Sequence, residues 1–422
     1  MKVLIIGGGG REHTIAWKLS QSPKVKHLFT APGNAGTSLL GQNLDISASD
    51  IDSLLQAAKD NEIDLTIVGP EAPLSDGIVD KFQSNGLAVF GPTRSAARIE
   101  SSKVFARELM EEYSIPCARG RSFSSYTEAK EYLKLQTPPI VIKADGLAAG
   151  KGVFVVDSIF HALKALDKIM VENSFGEAGN QVIIEECLMG KEMSFFAFCD
   201  GSNIAPMLPA CDYKRIFDDD KGPNTGGMGS YSPPPFYTQE LFHKIMDTII
   251  KPVVKALSNS GITYKGVLYA GLMITAGGPR VLEFNARFGD PETQVVLPLL
   301  NSDLIDIILG VVNGNLNDVK IEWLDDACVG VVIASCGYPG SYQKGLPIIG
   351  LNKLDSGVTV FHAGTNLNPD TGQVVTSGGR VLTVVAKGNN LEDARNRVYS
   401  TIPHIFFEGC HYRRDIAFFK ES

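Results

Sequence analysis

The sequence predicts a multi-domain protein of the α/β and α+β classes that begins with a doubly wound parallel sheet and ends in a small α/β domain. Its 422 residues exceed the roughly 100–200 residues of one domain, so we expect about two to four domains. Strand-like and helix-like patterns alternate through the first hundred residues, which is typical of parallel strands covered by helices. We predict domains at 1–100, 101–325 and 326–422, with the middle region divided into a mobile lid, 120–190, and a central part, 191–325.

Composition and charge argue against several classes of protein. The chain is 44% hydrophobic with a net charge of −8 and no basic run, so nothing favours a nucleic acid or an anionic membrane as partner. No apolar segment approaches the roughly 20 residues of a membrane helix, and the apolar amino terminus is too short for a signal peptide. Seven scattered cysteines without a CxxC pair argue against a disulfide framework. We expect a soluble, cytoplasmic protein.

The first region carries three glycine-containing loops, each directly after a predicted strand. The strands are 3–6, 27–30 and 65–68, and the loops are 7–11, 31–37 and 69–74. Loops at the carboxyl ends of parallel strands meet at one edge of the sheet, so we expect a shared site there, although each loop alone could be an ordinary turn. Helices are predicted from residue 11 and at 51–60, with further elements at 79–84 and 88–90.

The first of these loops could cradle a single phosphate. Its backbone NH groups open a helix, and Arg11 adds a positive charge. A dinucleotide site is improbable, because Glu12 stands where the last glycine of G-x-G-x-x-G would fall. The second strand also ends without the acidic residue that would hold an adenosine ribose.

The lid region contains a glycine-rich hairpin suited to phosphates. Residues 143–152, KADGLAAGKG, lie between predicted strands 140–143 and 153–156, and their spacing differs from a Walker P-loop. Small residues allow the hairpin to close over phosphates while its lysines supply charge. An ordinary hairpin is the alternative, but Lys143 at the end of an apolar strand is costly unless its charge is used. Helices are predicted at 101–112, 127–134 and 159–171.

Two acidic residues, Glu185 and Glu186, end the next predicted strand, 182–186. The main chain at the end of such a strand can offer hydrogen-bonding groups to the edge of an adenine, and Glu192 could reach ribose hydroxyls. The signal is weak by itself, because a solvated acidic turn has the same pattern.

The central part holds the most informative stretch of the chain, 281–292. Glu283, Asn285 and Arg287 recur at every second residue, so on a strand they share one face, while Leu282, Phe284, Ala286 and Phe288 face the other way. Carboxylate and amide oxygens suit Mg²⁺, and a guanidinium suits phosphate. A half-exposed edge strand would show the same alternation.

Other elements of the central and carboxy-terminal regions are less informative. The sequence predicts strands at 193–199, 267–274, 280–286, 329–334, 358–362 and 381–386, a glycine- and proline-rich loop at 222–235, and helices near 238–258, 302–312 and 391–400. The stretch 212–215, DYKR, is by itself more typical of a solvated surface, but the adjacent glycine-rich loop favours a site. The seven histidines show no ligand spacing.

In this order the motifs resemble those of the ATP-grasp superfamily and, within it, the glycinamide ribonucleotide synthetases. The motifs that carry the resemblance are GGREH at 9–13, APGNAGT at 31–37, GPEAPL at 69–74, KADGLAAGKG at 143–152, GPNTGGMG at 222–229 and EFNARFGDPETQ at 283–294. The resemblance implies ATP-dependent ligation of glycine to 5-phosphoribosylamine through a glycyl phosphate, the second step of purine synthesis. Alternatives are another purine-pathway ATP-grasp ligase and a nucleotide-binding regulator without turnover.

The resemblance also implies roles for individual residues. Glu283 and Asn285 would bind Mg²⁺ or Mn²⁺, and the catalytic residues of the central part would be Arg287, Asp212 and Lys214 together with Lys143 from the lid. ATP would contact Lys103, Lys143, Gly146, Gly150, Lys151, Gly152, Glu185, Glu186, Leu188 and Glu192. Glycine and phosphoribosylamine would contact Gly9, Gly10, Arg11, Glu12, Gly33, Asn34, Ala35, Gly36, Thr37, Glu71, Asp212, Lys214, Asn224, Thr225, Gly226, Gly227, Arg287, Gly289, Asp290 and Glu292.

Three further expectations complete the prediction. Many ATP-grasp enzymes carry an acidic metal ligand on the strand before the Glu-x-Asn pair, but 267–272 contains none, so the second metal position would be incomplete or filled by water or nucleotide. The partners expected are small molecules only, with no nucleic acid or membrane, and the chain would be a monomer or weak homodimer. Because it ends at Ser422 without further enzyme domains, it should be monofunctional.

Overall fold

A computed structural model describes residues 1–147, 152–172, 174–352 and 354–419. The first region forms a parallel five-stranded sheet in the order β3-β2-β1-β4-β5. Its elements are β1 Lys2–Gly7, α1 Gly10–Ser20, β2 His27–Pro32, β3 Gln42–Asn43, α2 Ile51–Asp60, β4 Leu65–Val68, α3 Glu71–Ser75, α4 Ile78–Ser84 and β5 Val89–Phe90. The doubly wound parallel sheet predicted for the amino terminus is confirmed.

Burial of the first strand explains why this sheet needs cover on both faces. Leu4 and Ile6 pack into one hydrophobic cluster, Val3 and Ile5 pack into another, and all four are fully buried. A continuous apolar run is typical of a parallel strand that is covered on both sides. The polar loops at the carboxyl ends of β1, β2 and β4 are thereby left at one edge of the sheet.

The second region begins with two helices and continues in an antiparallel four-stranded sheet of order β6-β9-β7-β8. The elements are α5 Arg94–Ser101, α6 Lys103–Glu112, β6 Gly120–Phe123, α7 Tyr126–Lys134, β7 Ile140–Ala144, β8 Val153–Val156, α8 Ile159–Met170 and β9 Val182–Glu186. This sheet and its two helices bury a separate hydrophobic cluster, which includes Leu133, Ile142 and Leu166. The unit therefore has its own small core.

The central part is built on a second antiparallel sheet, of order β11-β10-β16-β17. Its strands are β10 Lys191–Asp200, β11 Ile204–Pro206, β16 Lys265–Thr275 and β17 Gly278–Asn285, and its helices are α9 Gln239–Ile245, α10 Lys251–Asn259, α11 Thr293–Val296 and α12 Leu304–Asn313. Within the described residues, no helix is long and apolar enough to cross a membrane.

The carboxy-terminal segment forms a five-stranded antiparallel sheet that includes two strands from the central part. The order is β12-β15-β18-β22-β19, from β12 Cys211–Asp212, β15 Gly229–Ser232, β18 Ala327–Ala334, β19 Val358–His362 and β22 Arg380–Gly388, packed by α13 Leu391–Thr401. Two ribbons flank it: β13 Arg215–Phe217 with β14 Lys221–Asn224, and β20 Thr365–Leu367 with β21 Val374–Thr376. The sheet thus joins residues on both sides of the boundary predicted at 326.

Several predicted elements differ in detail from those in the structure. The helix predicted at 101–112 begins at Lys103, because Ser102 is extended and its side chain caps the helix at Phe105 N. The helix predicted near 238–258 is interrupted by a π-helical turn, Met246–Ile250, which ends two residues before Pro252, whose missing N–H weakens the regular helix. The loop predicted at 222–235 is wrong in part, since β15 pairs with β18 and is buried despite its glycine- and proline-rich flanks.

Candidate active site

The first of two polar cavities lies where the amino-terminal loops, the 120–190 sheet and β17 meet. It has a volume of about 420 Å³. Seven basic and seven acidic side chains are among its described lining residues, in a chain whose net charge is −8. The predicted residues that line it are Arg11, Glu71, Lys103, Lys143, Gly146, Gly152, Glu185, Asp212, Lys214, Thr225, Gly226, Glu283, Asn285, Arg287, Asp290 and Glu292.

Arg287 forms the centre of an ion-pair network in this cavity. Its Nε donates to Glu71 Oε2 at 2.9 Å, and its Nη2 lies 3.1 Å from Glu100 Oε1. Burial alone would raise the pKa of Glu71, but Arg287 and Arg11 outweigh it and lower the pKa to about 2. Glu100 is more deeply buried, and burial raises its pKa despite Arg287. Two carboxylates therefore hold the guanidinium in a fixed orientation.

The polar face predicted for 283–287 is present, but the strand is less regular than its sequence pattern. In β17, Glu283 pairs with Gly271 whereas Val281 pairs with Leu272, so Leu282 is an extra residue in a bulge. Leu282 and Phe284, which the alternation placed on the other face, both contribute to the cavity lining, and the Leu282 carbonyl accepts from Lys143 Nζ at 3.0 Å. Asn285 ends the strand, and its Oδ1 lies 3.4 Å from Arg287 Nη2.

Lys143 lies at the end of β7 in a buried chain of charges. Its Nζ is 2.6 Å from Glu185 Oε2, while Glu185 Oε1 accepts from Arg107 Nη1 at 2.9 Å. Only 11% of the Lys143 side chain and 9% of that of Glu185 are exposed. The carboxylate keeps the ammonium in place. Because Arg107 Nη2 also lies 2.7 Å from Glu111 Oε1, two basic and two acidic groups balance in this network.

Lys103 connects helix α6 to the glycine-rich hairpin. Its Nζ donates to the Gly146 carbonyl at 2.7 Å, and Val104 N donates to Asp145 Oδ1 at 3.0 Å. Desolvation lowers the pKa of Lys103 from its ordinary value, with Glu283 opposing the shift. Gly146 and Gly152 line the cavity at the two ends of the hairpin. The predicted contacts of Gly150 and Lys151 lie outside the described residues.

A second charged group lies across the cavity. Lys214 Nζ is 2.8 Å from Asp212 Oδ1 and 3.1 Å from Glu192 Oε2. Desolvation lowers the pKa of Lys214, but Asp212 and Glu192 outweigh it and hold the pKa well above its usual value. Glu292 is buried and accepts from Tyr269 OH at 2.7 Å, and burial together with Asp212 raises its pKa.

The second cavity lies between the amino-terminal loops and the carboxy-terminal segment, with a volume of about 880 Å³. Predicted residues among its lining are Gly9, Gly33, Asn34, Ala35 and Asp290, and the basic side chains described there are Lys344 and Arg380. Asp290 and Arg380 line both cavities. The structure therefore divides the predicted cradle at 7–11, because Gly9 lines this cavity whereas Arg11 lines the first.

Some predicted residues line neither cavity. They are Gly10, Glu12, Gly36, Thr37, Glu186, Leu188, Glu192, Asn224, Gly227 and Gly289. The Glu12 carboxylate accepts from Gly9 N at 2.7 Å and from Arg11 Nε at 2.6 Å. Asn34, although it lines the second cavity, donates from Nδ2 to Gly8 O and accepts at Oδ1 from Thr37 N. These contacts hold the shape of the glycine loops.

Glu186 belongs to a surface ion pair. Its Oε2 accepts from Arg119 Nη2 at 2.9 Å. Its main chain is occupied in part, since Glu186 N donates to Arg119 O.

Sequence reasoning missed several side chains of the two cavities, among them Glu100, Arg107, Tyr269, Lys344 and Arg380. Each lies outside the motifs, and only the tertiary fold brings it to the site. A weak signal existed for Arg107, because a charged residue on the apolar face of a predicted helix requires a partner. Nothing local distinguishes Lys344 or Arg380.

The described residues contain no cluster of three or more His, Cys, Asp or Glu side chains able to hold a metal ion. Glu283 and Asn285 remain as two neighbouring oxygen donors on the cavity wall. Hard oxygen donors fit Mg²⁺, which usually keeps several ligands from water and phosphate. The pair therefore fits an ion that is shared with a nucleotide better than a permanently bound one.

Comparisons with known proteins agree with this geometry. Profiles for the N domain, the ATP-grasp (A) domain and the C domain of phosphoribosylglycinamide synthetase match residues 1–100, 101–293 and 328–419. A phosphoribosylamine–glycine ligase from Caldanaerobacter subterraneus is 52% identical over 417 residues, covering 99% of both chains. The one from Escherichia coli K12 is 48% identical over 421 residues, covering 99% of this chain and 98% of the relative.

Comparison with solved structures indicates the same family and fold. The crystal structure of a phosphoribosylamine–glycine ligase from Thermotoga maritima superimposes with a TM-score of 0.87 at 34% identity, covering 99% of this chain and all of that one, 100%. A biotin carboxylase domain from Hydrogenobacter thermophilus, 14% identical with a TM-score of 0.74 and coverage of 97% and 91%, shares the fold alone. The ATP-grasp fold predicted from the motifs is confirmed, and the chain belongs to the phosphoribosylglycinamide synthetase family.

Proposed function

We propose that this protein is an ATP-dependent ligase that joins glycine to 5-phosphoribosylamine and releases glycinamide ribonucleotide, ADP and phosphate. The observation that carries the proposal is the meeting of Glu283, Asn285 and Arg287 with Lys103 and Lys143 around one cavity. Relatives named phosphoribosylamine–glycine ligase match nearly the whole chain, which supports the same activity here. The reaction belongs to purine biosynthesis.

ATP would occupy the first cavity. Lys103 and Lys143 project towards it from opposite sides of the glycine-rich hairpin, and both are positioned by carbonyl or carboxylate oxygens that a phosphate could replace. Positive groups held in advance stabilise the charge that moves during phosphoryl transfer without reorganising. Glu185 and Glu186 at the end of β9 and Leu188 just after it would accommodate the base, and Glu192 the ribose.

A divalent cation, Mg²⁺ or Mn²⁺, would be held by Glu283 and Asn285 together with the ATP phosphates. When bound, it would neutralise phosphate charge during transfer. The acidic ligand absent from 267–272 would be replaced by water or nucleotide oxygens.

The chemistry would proceed in two steps. One carboxylate oxygen of glycine attacks the γ-phosphorus of ATP, the bond from that phosphorus to the β,γ-bridging oxygen breaks, and glycyl phosphate and ADP form. The amine of phosphoribosylamine then attacks the acyl carbon, loses a proton and expels phosphate. Arg287, fixed by Glu71 and Glu100, would hold the glycine carboxylate and the transferred group in line. Water must be excluded while the acyl phosphate exists, which would be the task of the lid, 120–190.

Phosphoribosylamine would occupy the second cavity, with its amine directed to the first. Helix α1 begins beside this cavity after Gly9, and its positive end would favour a phosphate, while Lys344 and Arg380 supply positive charge among the described lining residues. Asp212, Lys214 and Glu292 lie on the first-cavity side, where the amine and the glycyl group would meet. Three domains with the boundaries predicted above, a cytoplasmic location and a monomeric or weakly dimeric state belong to the same proposal.

The test is the substrate requirement of the purified protein. ADP release is measured with Mg²⁺-ATP, glycine and freshly generated phosphoribosylamine, omitting each in turn, and the product is identified by mass spectrometry. Glycinamide ribonucleotide that forms only when all three are present is the expected result. ATP binding without turnover would favour a regulator, and turnover with a different carboxylate or amine would favour another ATP-grasp ligase.

A further inference from the structure

Among the described residues, Arg380 and Asp290 line both cavities. Arg380 begins β22 in the carboxy-terminal sheet, far in sequence from every motif of the site. Its partner in this position is Asp290, with Arg380 Nη2 and Asp290 Oδ2 3.2 Å apart. Their side chains are 22% and 16% exposed, so the pair is largely withdrawn from water. The Arg380–Asp290 ion pair therefore lies where the two cavities adjoin.

The guanidinium also binds the main chain of two separate loops of the site. Arg380 Nη1 donates to the Gly226 carbonyl at 2.6 Å and to the Asp290 carbonyl at 3.1 Å. A Cβ at Gly226 would lie 3.1 Å from Arg380 Cζ, so the contact with the 224–227 loop is close. A planar group with several fixed donors can make these contacts together, whereas a lysine ammonium has no such planar fork.

A second side chain of the carboxy-terminal segment forms a hydrogen bond with the same glycine. Tyr338 OH accepts from Gly226 N at 2.9 Å. Both backbone polar groups of Gly226 are therefore bound by residues of the carboxy-terminal sheet and its loops. On the other side of the loop, Thr225 N donates to Lys214 O at 2.7 Å, so displacement of Gly226 would be transmitted to Lys214 and its partner Asp212.

We propose that Arg380 is a positioning residue of the ligase reaction, which fixes Gly226 and Asp290 where the two cavities adjoin and the amine reaches the activated glycine. The inference rests on the proposed function and assigns the carboxy-terminal segment a part in the second chemical step. Arg380 acts through the groups that it holds, and the ATP-binding elements on the far side of the first cavity do not depend on it.

The experiment compares Arg380→Met and Tyr338→Phe with wild type, and Arg397→Met serves as the control because Arg397 is an exposed arginine on α13 of the same segment. Steady-state rates give kcat/KM for phosphoribosylamine at saturating ATP and glycine, and calorimetry gives the Kd of a non-hydrolysable ATP analogue. We expect Arg380→Met to lower kcat/KM by about 10- to 100-fold while the analogue Kd changes less than about twofold. Tyr338→Phe should lower kcat/KM by a smaller factor and leave the analogue Kd unchanged, and Arg397→Met should change neither parameter.

Arg380→Lys separates charge from geometry, because it keeps the charge and loses the planar fork; partial recovery relative to methionine is expected. The inference is overturned if Arg380→Met retains wild-type kcat/KM. It is also overturned if the analogue Kd weakens in the same proportion as kcat/KM, which would mean a general structural defect. Should Arg380→Met fail to fold, Tyr338→Phe decides the question, because it removes one hydroxyl only. A wild-type protein that makes no glycinamide ribonucleotide would instead refute the proposed function.

Discussion

Replacing Arg287 by methionine is expected to destabilise the fold and to abolish ligase activity, for two separable reasons. Arg287 neutralises Glu100, whose side chain is only 7% exposed, and Glu71, whose side chain is 34% exposed. Methionine fills a similar volume but leaves Glu100 as a buried carboxylate without its cation. Removing one partner of a buried ion pair costs about 3–5 kcal/mol.

The magnitude follows from the different exposure of the two carboxylates. Glu71 is partly solvated, so losing its partner adds at most about 1 kcal/mol. Glu100 keeps the hydrogen bond from Ala286 N at 2.7 Å, which offsets part of its cost. We therefore expect a loss of about 3–4 kcal/mol in the free energy of unfolding at pH 8.

The loss should become smaller at lower pH. Burial already raises the pKa of Glu100, and without Arg287 the pKa rises further above its unfolded value. Between these two pKa values the folded state binds a proton that the unfolded state lacks, so the variant regains stability relative to wild type as pH falls from 8 through the raised pKa of Glu100.

The assay is urea unfolding of wild type, Arg287→Met and Arg287→Met with Glu100→Gln, followed by tryptophan fluorescence at pH 8. The glutamine removes the buried charge and can still accept from Ala286 N, so the double variant should recover most of the stability. Its ligase activity should remain lost, because the guanidinium is absent. Wild-type stability of Arg287→Met, or no recovery by Glu100→Gln, would refute the electrostatic account. Recovery of activity in the double variant would refute the role of Arg287 in the reaction.

Three further predictions concern the metal pair, a buried histidine and a glycine loop. Glu283→Ala should lower metal-dependent turnover by at least about 100-fold with little change in the melting temperature, and retained activity at saturating Mg²⁺ would exclude this residue as a ligand. Burial and His362 lower the pKa of His13 to about 3, so the unfolded state takes up the proton first and stability is lost as pH falls below 6.5. At pH 5 the loss of stability caused by His13 amounts to about 2 kcal/mol. His13→Asn should therefore lose less stability than wild type between pH 7 and pH 5 in urea unfolding. An equal loss would contradict the lowered pKa of His13. In Gly36→Ala the new Cβ would lie 2.2 Å from His13 Cε1. We therefore expect about 1–3 kcal/mol of destabilisation, measured by thermal unfolding. An unchanged melting temperature would show that the loop can move to accommodate the methyl group.

Local patterns in the sequence predicted the amino-terminal sheet and the polar face of β17 because both depend on near neighbours. The apolar run of β1 and the alternation around Glu283 follow directly from the periods of strands. The bulge at Leu282 could not be predicted, since it arises from register with β16. Likewise β15 lies in a glycine- and proline-rich stretch and is a strand only because β18 pairs with it.

Motifs identified many of the residues that line the two cavities, but not the side chains that hold them in place. Glu100 belongs to the site because α5 packs beside β17, and Arg380 belongs to it because the carboxy-terminal sheet reaches the loop at Gly226. Such contacts join segments more than 150 residues apart, as Arg380 and Gly226 are separated by 154 positions. A single sequence contains no local signal for them.

The central claim is that glycine is activated as an acyl phosphate, and isotope transfer tests it most directly. Glycine labelled with ¹⁸O in both carboxylate oxygens is incubated with Mg²⁺-ATP, phosphoribosylamine and the protein, and the released phosphate is analysed by mass spectrometry. Attack of the carboxylate on the γ-phosphorus predicts one ¹⁸O atom in each phosphate and one in each molecule of glycinamide ribonucleotide. Phosphate without ¹⁸O, accompanied by full product formation, would contradict the account.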